Sequence, residues 1–341
     1  MSDALKIKAK AARLGYVCCG IIPAAVFLEY EEFLTKRAEA SPDSMKIYGP
    51  LYDFIRPPAE VKSIIVALRS ITKYRVPAGL DGRVGKFYMF DNRVEYSRDY
   101  RSRREFEAYL GLLGLGIVKF TVPSRWAAVK AGLGRFGRNN CVYHPEHGSN
   151  VKIEAYAVDM ELPYDDPPDD IYLDGCAESC GKCVAACPTG ALSKSYTMDA
   201  SKCVTSLTTN AGEEVAAELL PLIGQWVYGC DACQDACPHN KNVYTETEDY
   251  PLLSEYEEYL KPENVVEMDE KTYLNVIYPR FWYAGKDGSR LWKLNALNAM
   301  INSGDVKYDK YIEKCRSSED SQIRALAMSA PAGAKGKERE T

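Results

Sequence analysis

No stretch of this chain stays apolar long enough to cross a bilayer. The opening residues, MSDALKIKAKAARLGYVCCG, carry no long apolar run after their lysines and no twin-arginine export signal. A strong charge of either sign is also missing. Lys and Arg number 43 against 48 Asp and Glu, a formal net charge of −5. This excludes a global attraction to nucleic acid or to an anionic membrane, so any basic site has to be local. These absences place the chain in the cytoplasm, with no membrane partner. Thiols stay reduced there, so twelve cysteines point to metal or redox chemistry more than to disulfides. What remains is an ordinary globular composition, 46% hydrophobic and 27% charged over 341 residues, enough for one large or two medium domains.

The hydrophobic pattern predicts helices over residues 3–15, 26–40, 100–114 and 125–134, the last with a glycine stop. It predicts strands at YVCCGIIPA, SIIVALRS, LGIVKF and VKIEAYAVD. Mixed helices and strands indicate an α+β fold with an α/β-type domain over residues 1–170, ending in the Pro/Asp linker YDDPPDD. Residues 171–250 are rich in turns and cysteine and need metal to hold together. Residues 251–331 return to helices. There, SRLWKLNALNAMINSGD followed by YIEKCRSSEDSQIRALAMSA resembles part of a HEAT-type repeat. Residues 332–341 read as a disordered polar tail.

The cysteine segment carries the sharpest signal. Its first run is Cys176-x3-Cys180-x2-Cys183-x3-Cys187-Pro188, and its second is Cys230-x2-Cys233-x3-Cys237-Pro238, with Cys203 upstream. A cubane iron–sulfur cluster takes four thiolates, and in two-cluster ferredoxins the cysteine before the proline ligates the other cluster. On that logic Cys176, Cys180, Cys183 and Cys237 hold one 4Fe-4S cluster, and Cys187, Cys203, Cys230 and Cys233 hold a second. The x3 interval after Cys176 departs from the ferredoxin x2. Structural zinc is the bland alternative, yet three cysteines in eight residues ending in Cys-Pro make a poor zinc knuckle. Cys18, Cys19, Cys141 and Cys315 read as small buried hydrophobes.

CGKCVAACPTGAL, CVTSLTTN and LIGQWVYGCDACQDACPHN closely resemble the double-cluster region of the epoxyqueuosine reductase family, a relative of the reductive dehalogenases. AGLGRFGRNN, KAARLGYVCCGIIPA and GSRLWKLNALNAMINSG extend the resemblance over most of the chain. It implies a base-off cobalamin in the first domain, reduced by the two clusters beside Gly132, Gly134, Arg135, Gly137, Arg138 and Asn139. Glycines let backbone approach a large ligand, though a plain helix cap and turn accounts for the same residues. Neither His144 nor His147 sits in a D-x-H-x-x-G pattern, so no histidine ligand to cobalt is expected. The family's catalytic aspartate is replaced around Phe120–Thr121, and its Asp-Tyr-His becomes Glu95-Tyr96-Ser97. Tyr96 or Tyr100 then stands as the candidate proton donor.

The function read from these features is a corrinoid-dependent iron–sulfur oxidoreductase acting on a small molecule or a modified nucleoside, with tRNA as a possible partner. Its electrons would come from a low-potential ferredoxin- or flavodoxin-type donor. The competing reading is an electron-transfer protein that delivers low-potential electrons to a partner protein.

Overall fold

The structure is a computed structural model that describes residues 2–176, 180–193, 196–210 and 214–331. The polar tail expected at 332–341 lies outside them. The chain forms two compact units, each assembled from three stretches. One takes the chain up to Arg75, Phe90–Ser201 and Ala232–Pro251, and the other takes Val76–Met89, Lys202–Asp231 and the chain from Leu252. The units therefore cut across the consecutive boundaries expected at 170 and 250.

In the first unit the elements run α1 (Asp3–Arg13), β1 (Cys18–Pro23), α2 (Leu28–Ala40), β2 (Ser63–Ser70), α3 (Arg98–Leu112) and α4 (Ser124–Lys130). The hairpin β3 (Arg135–Phe136) and β4 (Val142–Tyr143) and the strand β5 (Val151–Val158) follow. Helix α1 begins on Ser2, whose hydroxyl accepts the Leu5 N–H. Asp3 lies in its first turn and Lys10 and Arg13 in its last, charges that suit the helix dipole. The sheet is antiparallel in the order β1-β2-β5, with Gly20 opposite Val66 and Val66 opposite Ala155.

Every residue of β2 is buried, because helices cover both faces of the sheet. Ile65 and Ala67 join Ile7 of α1 and Phe106 and Leu110 of α3 in one core. Ile64, Val66 and Leu68, facing the other way, join Leu34 of α2 and Trp126 and Val129 of α4. The period-two alternation of one strand thus feeds two separate cores. Residues 115–120, expected as a strand, contribute only a single bridge from Ile117 to Val158. Gly116 is held instead by Asp159, which accepts its N–H at 2.8 Å.

One buried charge group crosses the first core. Arg69 is 2% exposed and lies 3.4 Å from the Asp99 carboxylate, 3.9 Å from Glu154 and over the Tyr16 ring at 4.1 Å. Glu154 also accepts from the Tyr16 and Tyr156 hydroxyls and from the Asn92 amide. Burial raises the pKa of both tyrosines, so they stay protonated and able to donate.

The second unit is helical: α5 (Val204–Thr209), α6 (Ser289–Ser303), α7 (Asp309–Cys315) and α8 (Ser321–Ser329). Val204, Leu220 and Ile223 pack with Leu294 and Leu297 of α6 and with Ile323 and Leu326 of α8. Polar residues of α6 then fix the segment between α5 and Cys230. Asn295 donates to the carbonyls of Thr208 (3.1 Å) and Val227 (2.9 Å), and Asn298 to Leu220 (2.9 Å). Asn302 donates to Leu220 and Gly224. Between Leu220 and Val227 the chain forms one four-residue helix, Leu220–Ile223, and the amides supply donors to carbonyls at both ends of this stretch. Asn295→Leu is therefore expected to destabilise the protein by about 1–3 kcal/mol for each carbonyl left without a partner. Thermal denaturation of the anaerobic protein measures this, and an unchanged midpoint would refute it.

Candidate functional site

The repeated cysteine spacing produces a repeated local structure. Cys183 sits in the four-residue helix Lys182–Ala185 and Cys233 in the four-residue helix Ala232–Asp235. Each helix starts two residues after a cysteine, Cys180 or Cys230, and is followed by a Cys-Pro pair at 187–188 or 237–238. Proline cannot continue a helix with a backbone donor, so each turn stops where its third thiol projects.

In the first unit Cys176, Cys180, Cys183 and Cys237 line one cavity, together with Gly137, Arg138, Asn139, Tyr143 and His239. Among the described residues no three cysteines converge tightly on a single metal-ion point. A cubane takes one thiolate for each of its four irons, which is the number of cysteines around this cavity. The Arg138 N–H donates to Cys176 Sγ at 3.5 Å, and the Arg138 guanidinium donates to the Cys180 carbonyl. Tyr143 lies beside Cys237 on the cavity wall, and burial holds its pKa above the ordinary tyrosine range. Burial likewise raises the Cys183 thiol, with Cys233 and Cys176 nearby adding to it.

The other predicted thiols divide between the two units. Cys187 and Cys233 lie near one another in the first. In the second, Cys203 caps α5 and lies near Tyr88, while the Cys230 backbone packs at Gly85.

The glycine segment is built into the cysteine loop. Phe136 donates its N–H to the Ile171 carbonyl at 2.7 Å and accepts from Leu173 N–H at 2.9 Å, three residues before Cys176. Gly132 ends α4 with φ 69°, a conformation that suits glycine. A Cβ on Gly134 would stand 2.8 Å from the Tyr143 carbonyl oxygen, and one on Gly137 would stand 2.5 Å from the Tyr143 ring. These two glycines thus have a packing reason within the hairpin. Arg135 pairs with Asp174, and Asn139 donates to the Tyr143 hydroxyl (3.0 Å) and the Cys233 carbonyl (3.3 Å).

Tyr96 is solvent-exposed ahead of α3 and Tyr100 lies in its first turn, and neither lines the cysteine cavity. His144 and His147 stack on one another at 5.0 Å, away from it as well. Cys141 corrects the expectation of a buried hydrophobe. It is only half-buried, and it lies beside Cys233, where its proximity together with burial raises the Cys233 thiol. No spacing rule flags it, because it belongs to neither cysteine run and the β3–β4 turn is what brings it near Cys233.

Comparison with known proteins agrees with this geometry. Residues 176–240 match the 4Fe-4S double cluster binding domain, so the chain is a two-cluster iron–sulfur protein. Epoxyqueuosine reductase of Cellulophaga algicola is 30% identical over 266 residues, covering 74% of this chain and 84% of that protein. The chain belongs to the epoxyqueuosine reductase family. The Shigella dysenteriae and Escherichia coli enzymes are 42% and 41% identical over 131 residues, 38% of this chain. Against these two, the match spans only 32% of their own length. Solved epoxyqueuosine reductase structures share the fold. The Streptococcus thermophilus structure aligns with a TM-score of 0.77 at 21% identity, over 99% of this chain and 92% of that one. The Bacillus subtilis structure gives 0.72 at 20% identity, over 95% and 88%.

Proposed function

We propose that this chain is a corrinoid-dependent iron–sulfur reductase of the epoxyqueuosine reductase type, which passes electrons through two 4Fe-4S clusters to a substrate-reducing centre. The observation that carries the reading is the single cavity lined by Cys176, Cys180, Cys183 and Cys237. Those four hold one cluster, and Cys187, Cys203, Cys230 and Cys233 hold the other. The clusters supply one-electron transfer at low potential. Around the first, the Arg138 N–H donates toward sulfur, stabilising charge on the thiolate. Residues 171–250 act as a ferredoxin-like module, and the helices of residues 251–331 as a HEAT-like tail.

Family membership supports cobalamin in residues 1–170. Of the glycine-segment residues expected to hold it, Gly134 and Gly137 pack within the β3–β4 hairpin, and Arg135, Arg138 and Asn139 bond to Asp174, the Cys180 carbonyl and the Cys233 carbonyl. Gly134 and Gly137 therefore offer no open face to the corrinoid, and Gly132 alone of the three glycines borders open space. The substrate is a small molecule or a modified nucleoside, and the electrons come from a ferredoxin- or flavodoxin-type donor. One relative has been crystallised with an epoxyqueuosine-modified tRNA stem loop. A tRNA substrate for this chain rests on that likeness, and a cytoplasmic setting goes with it. Tyr96 or Tyr100 serves as proton donor.

A specific observation favours a second reading, an electron-transfer protein without its own substrate chemistry. The Bacillus subtilis relative has a loop bearing a catalytic aspartate. Residues 117–130 here, IVKFTVPSRWAAVK, contain no carboxylate.

Anaerobic purification decides between these readings. The expected protein is brown, with about eight irons and eight sulfides per chain. It retains added cobalamin through gel filtration with a base-off spectrum. Clusters without cobalamin would leave the electron-transfer reading, and a colourless protein with stoichiometric zinc would overturn both.

A further inference from the structure

Two of the thiols assigned to the second cluster, Cys203 and Cys230, belong to the second unit and come from separate stretches of its chain. Cys203 caps α5, whereas Cys230 ends a stretch, 224–230, that belongs to no helix or strand. Their separation has to be fixed if both are to reach one cubane. The Thr208 side chain bonds to both stretches. Thr208 is 0% exposed, and its hydroxyl donates to the Val204 carbonyl at 2.8 Å and accepts the Gly229 N–H at 2.9 Å. Val204 directly follows Cys203 and Gly229 directly precedes Cys230, so a single oxygen ties the residue after one thiol to the residue before the other.

The first of these bonds is ordinary, since a helical threonine commonly returns its hydroxyl to the carbonyl one turn back. The second is not local. It joins residues 21 apart in the chain, and it needs a side chain that donates and accepts at once, which no apolar residue of the same shape can do. The junction is closed from both sides. Asn295 donates to the Thr208 carbonyl at 3.1 Å, and a Cβ on Gly229 would stand 2.5 Å from the Tyr88 ring. Gly229 also has φ 79°, a conformation that favours glycine. The peptide leading into Cys230 is thus walled by Tyr88 and held by the hydroxyl.

We propose that Thr208 is a positioning residue of the second cluster: its hydroxyl sets the spacing of Cys203 and Cys230, and through that spacing the cluster's hold on iron and its electronic environment. The inference rests on the assignment of those two cysteines to one cluster. Groups that orient a metal ligand without touching the metal typically change metal affinity or activity by about 10–100-fold when removed. Thr208→Val keeps the shape of the side chain, removes the tie and leaves the buried Gly229 N–H without its acceptor.

The test uses the anaerobically purified full-length protein. Thr208→Val is expected to hold about eight irons as isolated. It should then lose the iron of one cluster to a ferrous chelator about tenfold faster than the parent, with an altered EPR signal for that cluster alone. Thr208→Ser, which keeps the hydroxyl, should restore the parent's rate and signal. Asn298→Leu is the structural control, because the amide it removes bonds the Leu220 carbonyl and not a peptide beside a thiol. It should lower the thermal midpoint and leave both EPR signals as in the parent. Unchanged signals in Thr208→Val, equal changes in both clusters, no restoration by serine, or the same one-cluster change in Asn298→Leu would each overturn the proposal. Thr208→Ala gives the same comparison if the valine variant does not accumulate. A brown parent with a parent-like Thr208→Val overturns this inference alone, whereas a zinc-containing parent overturns the cluster reading on which it rests.

Discussion

Replacing Cys183 with alanine is expected to strip about four of the eight irons from the protein, while Cys141→Ala keeps all of them. Both cysteines lie close to other thiols, so proximity alone does not separate them. Cys183 lines the cavity shared with Cys176, Cys180 and Cys237 and is anchored in its own four-residue helix. Cys141 lies on the β3–β4 turn, outside both runs, near Cys233 but not among the residues that line the cavity. Iron and sulfide analysis, with the visible absorbance of the anaerobic protein, reads the difference directly. An intact iron count in Cys183→Ala, or a halved one in Cys141→Ala, would show that the eight-thiol assignment is wrong.

The second large effect is on stability. Arg69→Ala is expected to destabilise the protein by about 3–5 kcal/mol, the usual consequence of removing one partner from a buried ion group. The loss is severe here because Asp99 and Glu154 would both remain in the core without their cation. Asp99 is 1% exposed and Glu154 7%, so water cannot easily take its place. Arg69→Lys should recover only part of the loss, since an ammonium cannot span two carboxylates and the Leu14 carbonyl as the guanidinium does. The thermal midpoint of the anaerobic protein is the measurement, and a midpoint within error of the parent would refute the argument.

Several parts of this architecture were legible in the residues. SIIVALRS appears as β2 because an apolar run of that length rich in β-branched residues has few other places to go, and VKIEAYAVD contains all of β5, its alternation marking a strand. The two cysteine runs were legible as one motif used twice, and Cys176, Cys180, Cys183 and Cys237 do line a common cavity. Residues 115–120 were misread because an apolar tract flanked by Gly114 and Gly116 resembles a strand locally, while Asp159 ties it down as coil. The roles of Gly134 and Gly137 depend on Tyr143, a partner that no local pattern identifies. Arg37 was invisible for a similar reason. On α2 it reads as an ordinary charged residue of a surface helix, and only the fold reveals that it is buried with its guanidinium on the Asn140 side chain.

The asparagines of α6 also bear on the order of events during synthesis. Asn295 bonds to carbonyls 87 and 68 residues earlier in the chain, and Asn298 to one 78 residues earlier. The stretch leading to Cys230 therefore cannot settle until residue 302 has left the ribosome, long after the last cysteine of both runs has emerged. For that interval the thiols of a nascent chain are present but their support is not. Any cellular machinery that delivers iron and sulfide would work on a nearly finished polypeptide.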